Sequence, residues 1–346
     1  MEHAMLREIK EQPEVLRRLV GSCKHSFFAE AVTLIRESIS NGGQVVFLGN
    51  GTSYHSCIYG QYLFSISNHV IVNIFDTAEF EPFIENLNQN ATVVIVSQSG
   101  ETGDALEIIQ KLVPSKPEGS KIISITNNPK STLARESDVA IDLMLGETNA
   151  IPSTKGYTAE MATFALLSDG IKESQNFAGK VETIAKEMKR VIFAEHEQIK
   201  ALSDKLKNQQ LMYVLGHSIG LSNAYEAALK IKECAHIQAE GYSGPEFRHG
   251  PSSMIGYSTP VIVFAPDIES EEDLKSVVGE VKHSGGYVIG VGSEHSLHYD
   301  LHLKTIDDYL YSPLTAIVPI QLLAFELAMT KGLDPDKPIG VRKVVD

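Results

Sequence analysis

The stretch Ala91-Thr-Val-Val-Ile-Val-Ser-Gln-Ser-Gly-Glu-Thr102 decides the fold, because the sequence pattern changes within it. Residues 91–96 are apolar and mostly β-branched, as in a buried strand, and residues 104–113 have the apolar spacing of a helix. The link between them, Ser97–Thr102, carries three hydroxyl groups and a side-chain amide. Since the first N–H groups of a helix attract anions, this link is a candidate site for the phosphate of a small molecule. An ordinary helix cap by Ser99 or Thr102 is the alternative interpretation.

The pattern of strand, turn and helix occurs twice with a constant offset of 167 positions (216 − 49). The pairs that share this offset are Gly49 and Gly216, Val96 and Val263, and Ser120 and Tyr287. Because each pair falls on a strand or beside one, the offset predicts two copies of one α/β domain. Alternating strands and helices predict parallel sheets covered on both faces, with ligands bound beyond the carboxyl ends of the strands.

The predicted elements place the candidate loops at that edge of each sheet. The predicted strands are 44–48, 70–75, 91–96, 121–125, 139–143, 211–215, 261–264 and 287–291. The expected organisation is an N-terminal helical segment at 1–40, a first domain at 41–170, a helical connection at 171–200, a second domain at 201–335 and a tail at 336–346. Residues 239–251, which are rich in glycine and proline, are interpreted as a loop.

Composition excludes several classes of function. The chain has 346 residues, 43% hydrophobic and 21% charged, which is typical of a globular protein with two domains. A net charge of −14 without a basic block argues against nucleic acid and anionic membranes as partners. We expect no leader peptide and no membrane span, and the three cysteines, Cys23, Cys57 and Cys234, favour reduced thiols in the cytoplasm.

Three charged residues share a spacing that suits chemistry. Glu226, Lys230 and Glu233 lie three and four positions apart, so a helix would present them on one face. A surface ladder of salt bridges, which would stabilise the fold little, is the alternative. The apolar neighbours at 227–229 and 231 predict instead that this helix is largely buried.

Other candidate residues are weighed separately. His249, in the glycine- and proline-rich segment, is a candidate proton shuttle, although a loop histidine bonded only to backbone is the usual case. The cluster His295, His298, Asp300 and His302 resembles metal ligands, but its place between two strands disfavours a metal site. The turn Gly49–Ser53 has neither a Walker spacing nor a complete dinucleotide fingerprint. We therefore expect no metal and no cofactor.

Several ordered motifs together resemble the sugar isomerase (SIS) family, in the form found in the isomerase half of glutamine–fructose-6-phosphate aminotransferases. These motifs are Gly51-Thr-Ser-Tyr54, Ser97-Gln-Ser-Gly-Glu-Thr102, Arg135-Glu-Ser-Asp138, Ser153-Thr-Lys155, Glu226-x-Ala-Leu-Lys-x-Lys-Glu233 and Glu246-x-x-His-Gly-Pro251. Glu8-Ile-Lys-Glu-Gln-Pro13 also resembles the segment that leads into that half. The resemblance covers nearly the whole chain and implies two tandem flavodoxin-like, three-layer αβα SIS domains with parallel sheets.

The resemblance also implies a role for each matching residue. Glu233 would move a proton between C1 and C2 of the sugar, and His249 from a neighbouring subunit would open the ring. Lys230 would assist near the C1 and C2 oxygens, and Glu226 would orient the helix. The residues expected to bind the sugar phosphate are Gly51, Thr52, Ser53, Ser97, Gln98, Ser99, Thr102 and Ser153.

Two departures from the family pattern affect the expected reaction. Residue 2 is Glu2 rather than a nucleophilic cysteine, so we expect no unaided release of ammonia from glutamine. Lys343 is the nearest match to the lysine that forms a Schiff base in the family, but fewer residues follow it. The covalent step of the family would therefore depend on Lys343.

These considerations favour an isomerase and deaminase that converts glucosamine 6-phosphate to fructose 6-phosphate and ammonia. The alternatives are a fructosamine-6-phosphate deglycase, a plain phosphosugar isomerase, a synthase subunit that uses a separate glutaminase, and a non-catalytic phosphosugar-binding regulator. The enzyme is favoured over the regulator because Glu233 and His249 are both present. A cytoplasmic homodimer, with each site completed by the neighbouring subunit, is the expected assembly.

Overall fold

The computed structural model describes residues 2–22, 26–293 and 299–342. Within them the chain forms two five-stranded sheets, and every strand pairing is parallel. The predicted α/β class with two parallel sheets is confirmed.

The first sheet has the strand order β2-β1-β3-β4-β5. Its strands are β1 (Val45–Gly49), β2 (Val72–Asp76), β3 (Thr92–Val96), β4 (Lys121–Thr126) and β5 (Val139–Asp142). The helices that accompany them are α2 (Ser26–Ser40), α3 (Thr52–Asn68), α4 (Gly103–Ser115), α5 (Thr132–Glu136) and α6 (Lys155–Lys172). This order is flavodoxin-like, and it reverses between β1 and β3, where such sheets bind their ligands.

The second sheet repeats the same order, read as β7-β6-β8-β9-β10. Its strands are β6 (Leu211–Gly216), β7 (Gln238–Ser243), β8 (Pro260–Ala265), β9 (Tyr287–Gly292) and β10 (Leu301–Lys304). Its helices are α9 (Leu221–Ala235), α10 (Gly244–Phe247), α11 (Ile268–His283) and α12 (Ser312–Thr330). The remaining helices are α1 (Ala4–Ser22), α7 (Asn176–Ala194) and α8 (His196–Leu206). The identical order in both sheets is what two copies of one domain require.

The interpretation of residues 239–251 as a loop is wrong at its start, because β7 occupies Gln238–Ser243. This strand lies at an edge of its sheet and is only partly buried, so a polar composition is tolerated there. The repeat could have revealed it, since β2 shifted by the 167-residue offset falls at 239–243.

The strands that carry the candidate loops are fully buried. Every residue of β1, β3 and β8 is buried, in agreement with their continuous apolar sequences and with sheets covered on both faces. Among the described residues, one helix, α12, is long and apolar enough to cross a membrane, but 89% of its apolar window is buried inside the fold. Helices of a soluble core pass the same test, so this helix is no evidence of a membrane span.

The chain divides into two compact units that do not follow the sequence order strictly. The first-repeat unit contains the described residues of Glu14–Glu147 and Lys155–Val181, together with Arg342. The second-repeat unit contains the described residues up to Pro13, Thr148–Thr154 and the described residues of Glu182–Val341. The segment Thr148–Thr154, here called the Ser153 loop, therefore belongs to the second-repeat unit although it connects β5 to α6 of the first repeat.

Candidate functional site

The loop after β3 brings three predicted hydroxyl groups into one turn. The Ser97 Oγ lies 3.0 Å from the Thr102 Oγ1, and the Ser99 Oγ lies 3.4 Å from the same atom. Ser97 is buried, while Ser99 and Thr102 are half-buried. The hydroxyls thus converge at the carboxyl end of a central strand, beside the beginning of α4.

Gly100 gives this loop its shape. Its φ of +65° lies in the left-handed region, and its N–H donates to the Ser97 carbonyl at 3.0 Å and to the Ser97 Oγ at 3.2 Å. A Cβ at this position would meet the Ser131 Oγ at 2.1 Å. Both the backbone angle and the lack of space therefore require glycine.

The hydroxyls do not act as an ordinary helix cap. Thr102 is the N-cap residue of α4, but its side chain makes no cap hydrogen bond within the described part of the chain. The Ser99 Oγ accepts the N–H of Glu101 at 3.1 Å, which precedes the helix, and the Gln98 carbonyl accepts the N–H of Asn127 at 2.9 Å. The first turn of α4 thus keeps N–H groups that an anion can bind.

A second turn, after β1, contributes Gly51, Thr52 and Ser53. Gly51 has a φ of +51°, and α3 begins at Thr52. The Ser53 Oγ donates to the Oε1 of Glu160 at 3.0 Å, and Glu160 is 1% exposed. Sequence reasoning missed Glu160, although it is the single acidic or basic residue in the stretch 157–167 and was therefore a visible signal.

Helix α9 places Glu226, Lys230 and Glu233 together, as their spacing predicts. The Lys230 Nζ lies 2.5 Å from the Glu233 Oε2 and 3.5 Å from the Glu226 Oε1. The side chains of Lys230 and Glu226 are 1% and 0% exposed, and that of Glu233 is 16% exposed. An exposed ladder of salt bridges is therefore the wrong interpretation of this helix.

The charge state of this cluster follows from burial and from its two carboxylates. Burial lowers the pKa of Lys230, but Glu226 and Glu233 outweigh this effect, and the resulting pKa lies above the ordinary lysine value. Lys230 is thus a cation at neutral pH. Cys234, on the same helix, is no nucleophile, because burial raises the pKa of its thiol to about 12.

His249 lies on the turn that follows α10 and is exposed to solvent. Its backbone N–H donates to the carbonyl of Glu246 at 3.0 Å. A cavity of about 600 Å³ lies beside this turn, between α11 and the residues at 250–255. The Arg248–Glu280 ion pair lines this cavity. The predicted role of His249 in a neighbouring subunit stays a prediction.

Not all candidates can be placed. The predicted residues that lie outside the described part of the chain are Lys343, His295, His298 and Cys23. Of the histidine cluster, His302 lies on β10 with its Nε2 3.1 Å from the Gly292 carbonyl, and the Asp300 carboxylate accepts the N–H of Val288 at 2.7 Å. These two side chains thus make hydrogen bonds with the backbone of the second sheet.

A second group, His3, Asp334 and Asp336, has ligand atoms within 4.8 Å of one another. The Asp336 carboxylate already accepts the N–H groups of Ala4 and Met5, at 3.0 and 2.8 Å, and contacts the His3 Nδ1 at 3.0 Å. The Asp336 carboxylate thus caps the N-terminus of α1, although Asp336 lies far from this helix in the sequence.

Comparison with known proteins relates this arrangement to a family. The sequence profile of the SIS domain matches residues 38–168 and 205–330. The glutamine–fructose-6-phosphate aminotransferase of Thermotoga maritima is 33% identical over 358 residues, which cover 99% of this chain and 58% of that protein. The chain therefore spans little more than half the length of this relative.

Solved structures show the same fold. The C-terminal domain of the Francisella tularensis glucosamine-fructose-6-phosphate aminotransferase matches with a TM-score of 0.82 and 24% identity, over 97% of this chain and 99% of that one. Glucosamine-6-phosphate deaminase from Thermotoga maritima matches with a TM-score of 0.76 and 22% identity, over 99% of both chains.

Proposed function

Because the chain belongs to the SIS domain family, whose profile matches both repeats, we propose that it isomerises and deaminates an amino-hexose 6-phosphate in the cytoplasm. Glucosamine 6-phosphate is the favoured substrate, and fructose 6-phosphate and ammonia are the products. Glucosamine-6-phosphate deaminase from Thermotoga maritima has the same fold, so this fold is compatible with the proposed reaction.

The first-repeat unit supplies the phosphate site in this proposal. Neutral hydroxyls and helix N–H groups suit a phosphate dianion, and they are needed because the chain's overall charge of −14 repels it. The hydroxyls of Ser97, Ser99 and Thr102 lie in one turn, as described above. Thr52, Ser53, Gln98 and Ser153 are assigned to the remaining oxygens of the sugar phosphate.

The observation that carries the proposed chemistry is the Glu233 carboxylate, 2.5 Å from the buried Lys230 ammonium and itself partly exposed. In the open-chain amino sugar this carboxylate removes the C2 proton and returns it to C1, through an enolamine. Water then adds to the C2 imine that results, and ammonia leaves. Lys230 stabilises the oxygen at C1 as its negative charge develops.

Two further residues complete the assignment. Glu226 also pairs with Lys230, at 3.5 Å, and so orients its ammonium group. His249 of a second subunit is assigned the opening of the sugar ring, which makes a homodimer part of the proposal. A Schiff base to Lys343 is not needed, because the substrate amine and water suffice for the balance of atoms.

The first experiment incubates the purified protein with glucosamine 6-phosphate and measures free ammonia and fructose 6-phosphate. Equal amounts of both products are expected. Interconversion of glucose and fructose 6-phosphates without ammonia would indicate a plain isomerase, and binding without turnover a regulator. Either result rejects the deaminase.

The second experiment replaces the proposed base. Glu233→Gln should lower kcat and solvent deuterium exchange at C2 at least about 100-fold, because general base catalysis contributes on this order, while fructose 6-phosphate still binds. The matched control is Glu272→Gln, at an exposed glutamate on α11. Retained exchange would remove the role of Glu233. Mixed His249→Ala and Glu233→Gln subunits should regain part of the activity if subunits share a site.

A further inference from the structure

The Ser153 loop connects two elements of the first repeat but is built into the second-repeat unit. Its neighbours in that unit come from α1, from α12 and from the segment after α12. These elements lie close to the two ends of the described chain. The bonds that hold the loop therefore join parts of the sequence that no local pattern connects.

Glu8, on α1, makes the first attachment. Its Oε1 accepts the N–H groups of Asn149 and Ala150, at 2.6 and 3.0 Å, and the residue is 3% exposed. An ionised carboxylate is costly to bury unless it is hydrogen-bonded. Two N–H groups from consecutive loop residues satisfy that need and are themselves oriented by it.

Two further attachments surround the same loop. The Ile151 N–H donates to the carbonyl of Asp336 at 2.9 Å, and the Asp336 carboxylate caps α1. The Gln321 Nε2 of α12 donates to the Thr154 carbonyl at 3.2 Å, and its Oε1 accepts from the Gln12 Nε2 at 2.8 Å. Both glutamines are 0% exposed.

The attached residues stand on both sides of Ser153, at 149, 150, 151 and 154. Pro152, which has a fixed φ and no N–H, precedes Ser153. This pattern of hydrogen bonds holds the loop backbone on both sides of Ser153. It restricts the backbone at the residue to which the proposed function assigns a substrate contact.

We propose that Glu8 is a positioning residue, which holds the Ser153 loop in the conformation that presents Ser153 to the hydroxyl groups of the bound phosphosugar. This inference rests on the proposed function. Glu8 touches no substrate atom and acts only through the two loop N–H groups. Its loss therefore affects recognition of the sugar part, whereas the phosphate donors of the first-repeat unit stay as they are.

The test measures binding and local opening in Glu8→Ala and Glu8→Gln. In Glu8→Ala we expect hydrogen exchange at Asn149 and Ala150 to become at least about tenfold faster, because their acceptor is gone. The Kd of fructose 6-phosphate should rise at least about fivefold, while the Kd of inorganic phosphate stays within about twofold. Glu8→Gln keeps an acceptor oxygen and should lie between the wild type and Glu8→Ala.

The control is Glu14→Ala, on the same helix, where the glutamate side chain is 53% exposed and pairs with Arg17. It should leave exchange and both Kd values unchanged. Unchanged exchange in Glu8→Ala overturns the inference, and so does faster exchange with an unchanged Kd for fructose 6-phosphate. If the Kd of inorganic phosphate rises by the same factor, the variant has a general structural defect. This result also overturns the inference.

The proposed function fails in a different way. Wild-type protein that binds no fructose 6-phosphate contradicts the phosphosugar site itself. If the wild-type protein binds fructose 6-phosphate and the variants bind it with the same Kd, only the role of Glu8 is contradicted. If Glu8→Ala does not fold, Glu8→Gln and its exchange at Asn149 and Ala150 decide the question.

Discussion

At the scale of single residues, the buried ion group on α9 combines a functional candidate with a large effect on stability. Lys230 and Glu226 are almost completely excluded from water, so neither charge is tolerated without the other. The partly exposed Glu233 is the member that can meet a ligand. The group thus contains one carboxylate suited to structure and one suited to chemistry.

Lys230→Met should lower the free energy of unfolding by about 3–5 kcal/mol, because it removes the cation beside the buried Glu226 carboxylate. Urea denaturation at pH 8 measures this. Lys275→Met, in the exposed Glu272–Lys275 pair of α11, is the control and should change stability by at most about 1 kcal/mol. Equal effects at the two sites would contradict the buried pairing.

The loss of stability in Lys230→Met should depend on pH in a defined way. Since the folded-state pKa of Lys230 is raised above its ordinary value of 10.5, its stabilisation is fully present below that pH and is lost as pH rises through the folded-state pKa. The stability difference between wild type and Lys230→Met should therefore persist at pH 8 and shrink only above about pH 10.5. A difference that disappears below pH 9 would contradict the assigned charge.

At the scale of elements, the turn between β3 and α4 depends on Gly100. Gly100→Ala places a methyl group against the Ser131 Oγ in a left-handed backbone, which should cost about 1–3 kcal/mol beyond the strain of the angle itself. Gly42 is the matched control, because its φ of +70° is similar and no atom lies within 4 Å of its Cβ position. Thermal unfolding of the two alanine variants compares them. A Gly100→Ala protein as stable as Gly42→Ala would contradict the close approach.

Most elements could be predicted because their patterns are local. The continuous apolar runs of β1, β3 and β8 identify buried parallel strands, and the spacing on α9 places its three charged residues on one face. Strand β7 could not be found this way, since an edge strand with glutamate, glycine and serine has no apolar pattern. Its identification requires the comparison between repeats.

At the scale of the whole molecule, the two repeats keep one topology but differ at the loop to which we assign phosphate binding in the first repeat. By the 167-residue offset, Phe264, Ala265 and Pro266 replace the serine, glutamine and serine of the first repeat. The Asp267 carboxylate accepts the N–H of Ser270 at 2.9 Å and places negative charge at the start of α11. The second repeat therefore lacks the hydroxyl groups that the first repeat carries at this point.

We expect one fructose 6-phosphate to bind per chain, rather than one per repeat. Isothermal titration calorimetry gives the stoichiometry directly. Ser99→Ala should raise the Kd of this single site. Asp267→Ala should leave the stoichiometry at one, because the second repeat still lacks the hydroxyl donors. Two equivalents per chain would contradict the assignment of phosphate binding to the first repeat alone.

The sequence by itself determined the two α/β repeats, the hydroxyl-bearing turn and the single face of Glu226, Lys230 and Glu233, because apolar periodicity and short spacings are local properties of the chain. Only the tertiary structure showed that Ser53 bonds to Glu160 and that Glu8 holds the Ser153 loop. These contacts join residues 107 and 141 positions apart. Burial and long-range hydrogen bonds depend on which surfaces meet, and no local pattern encodes that.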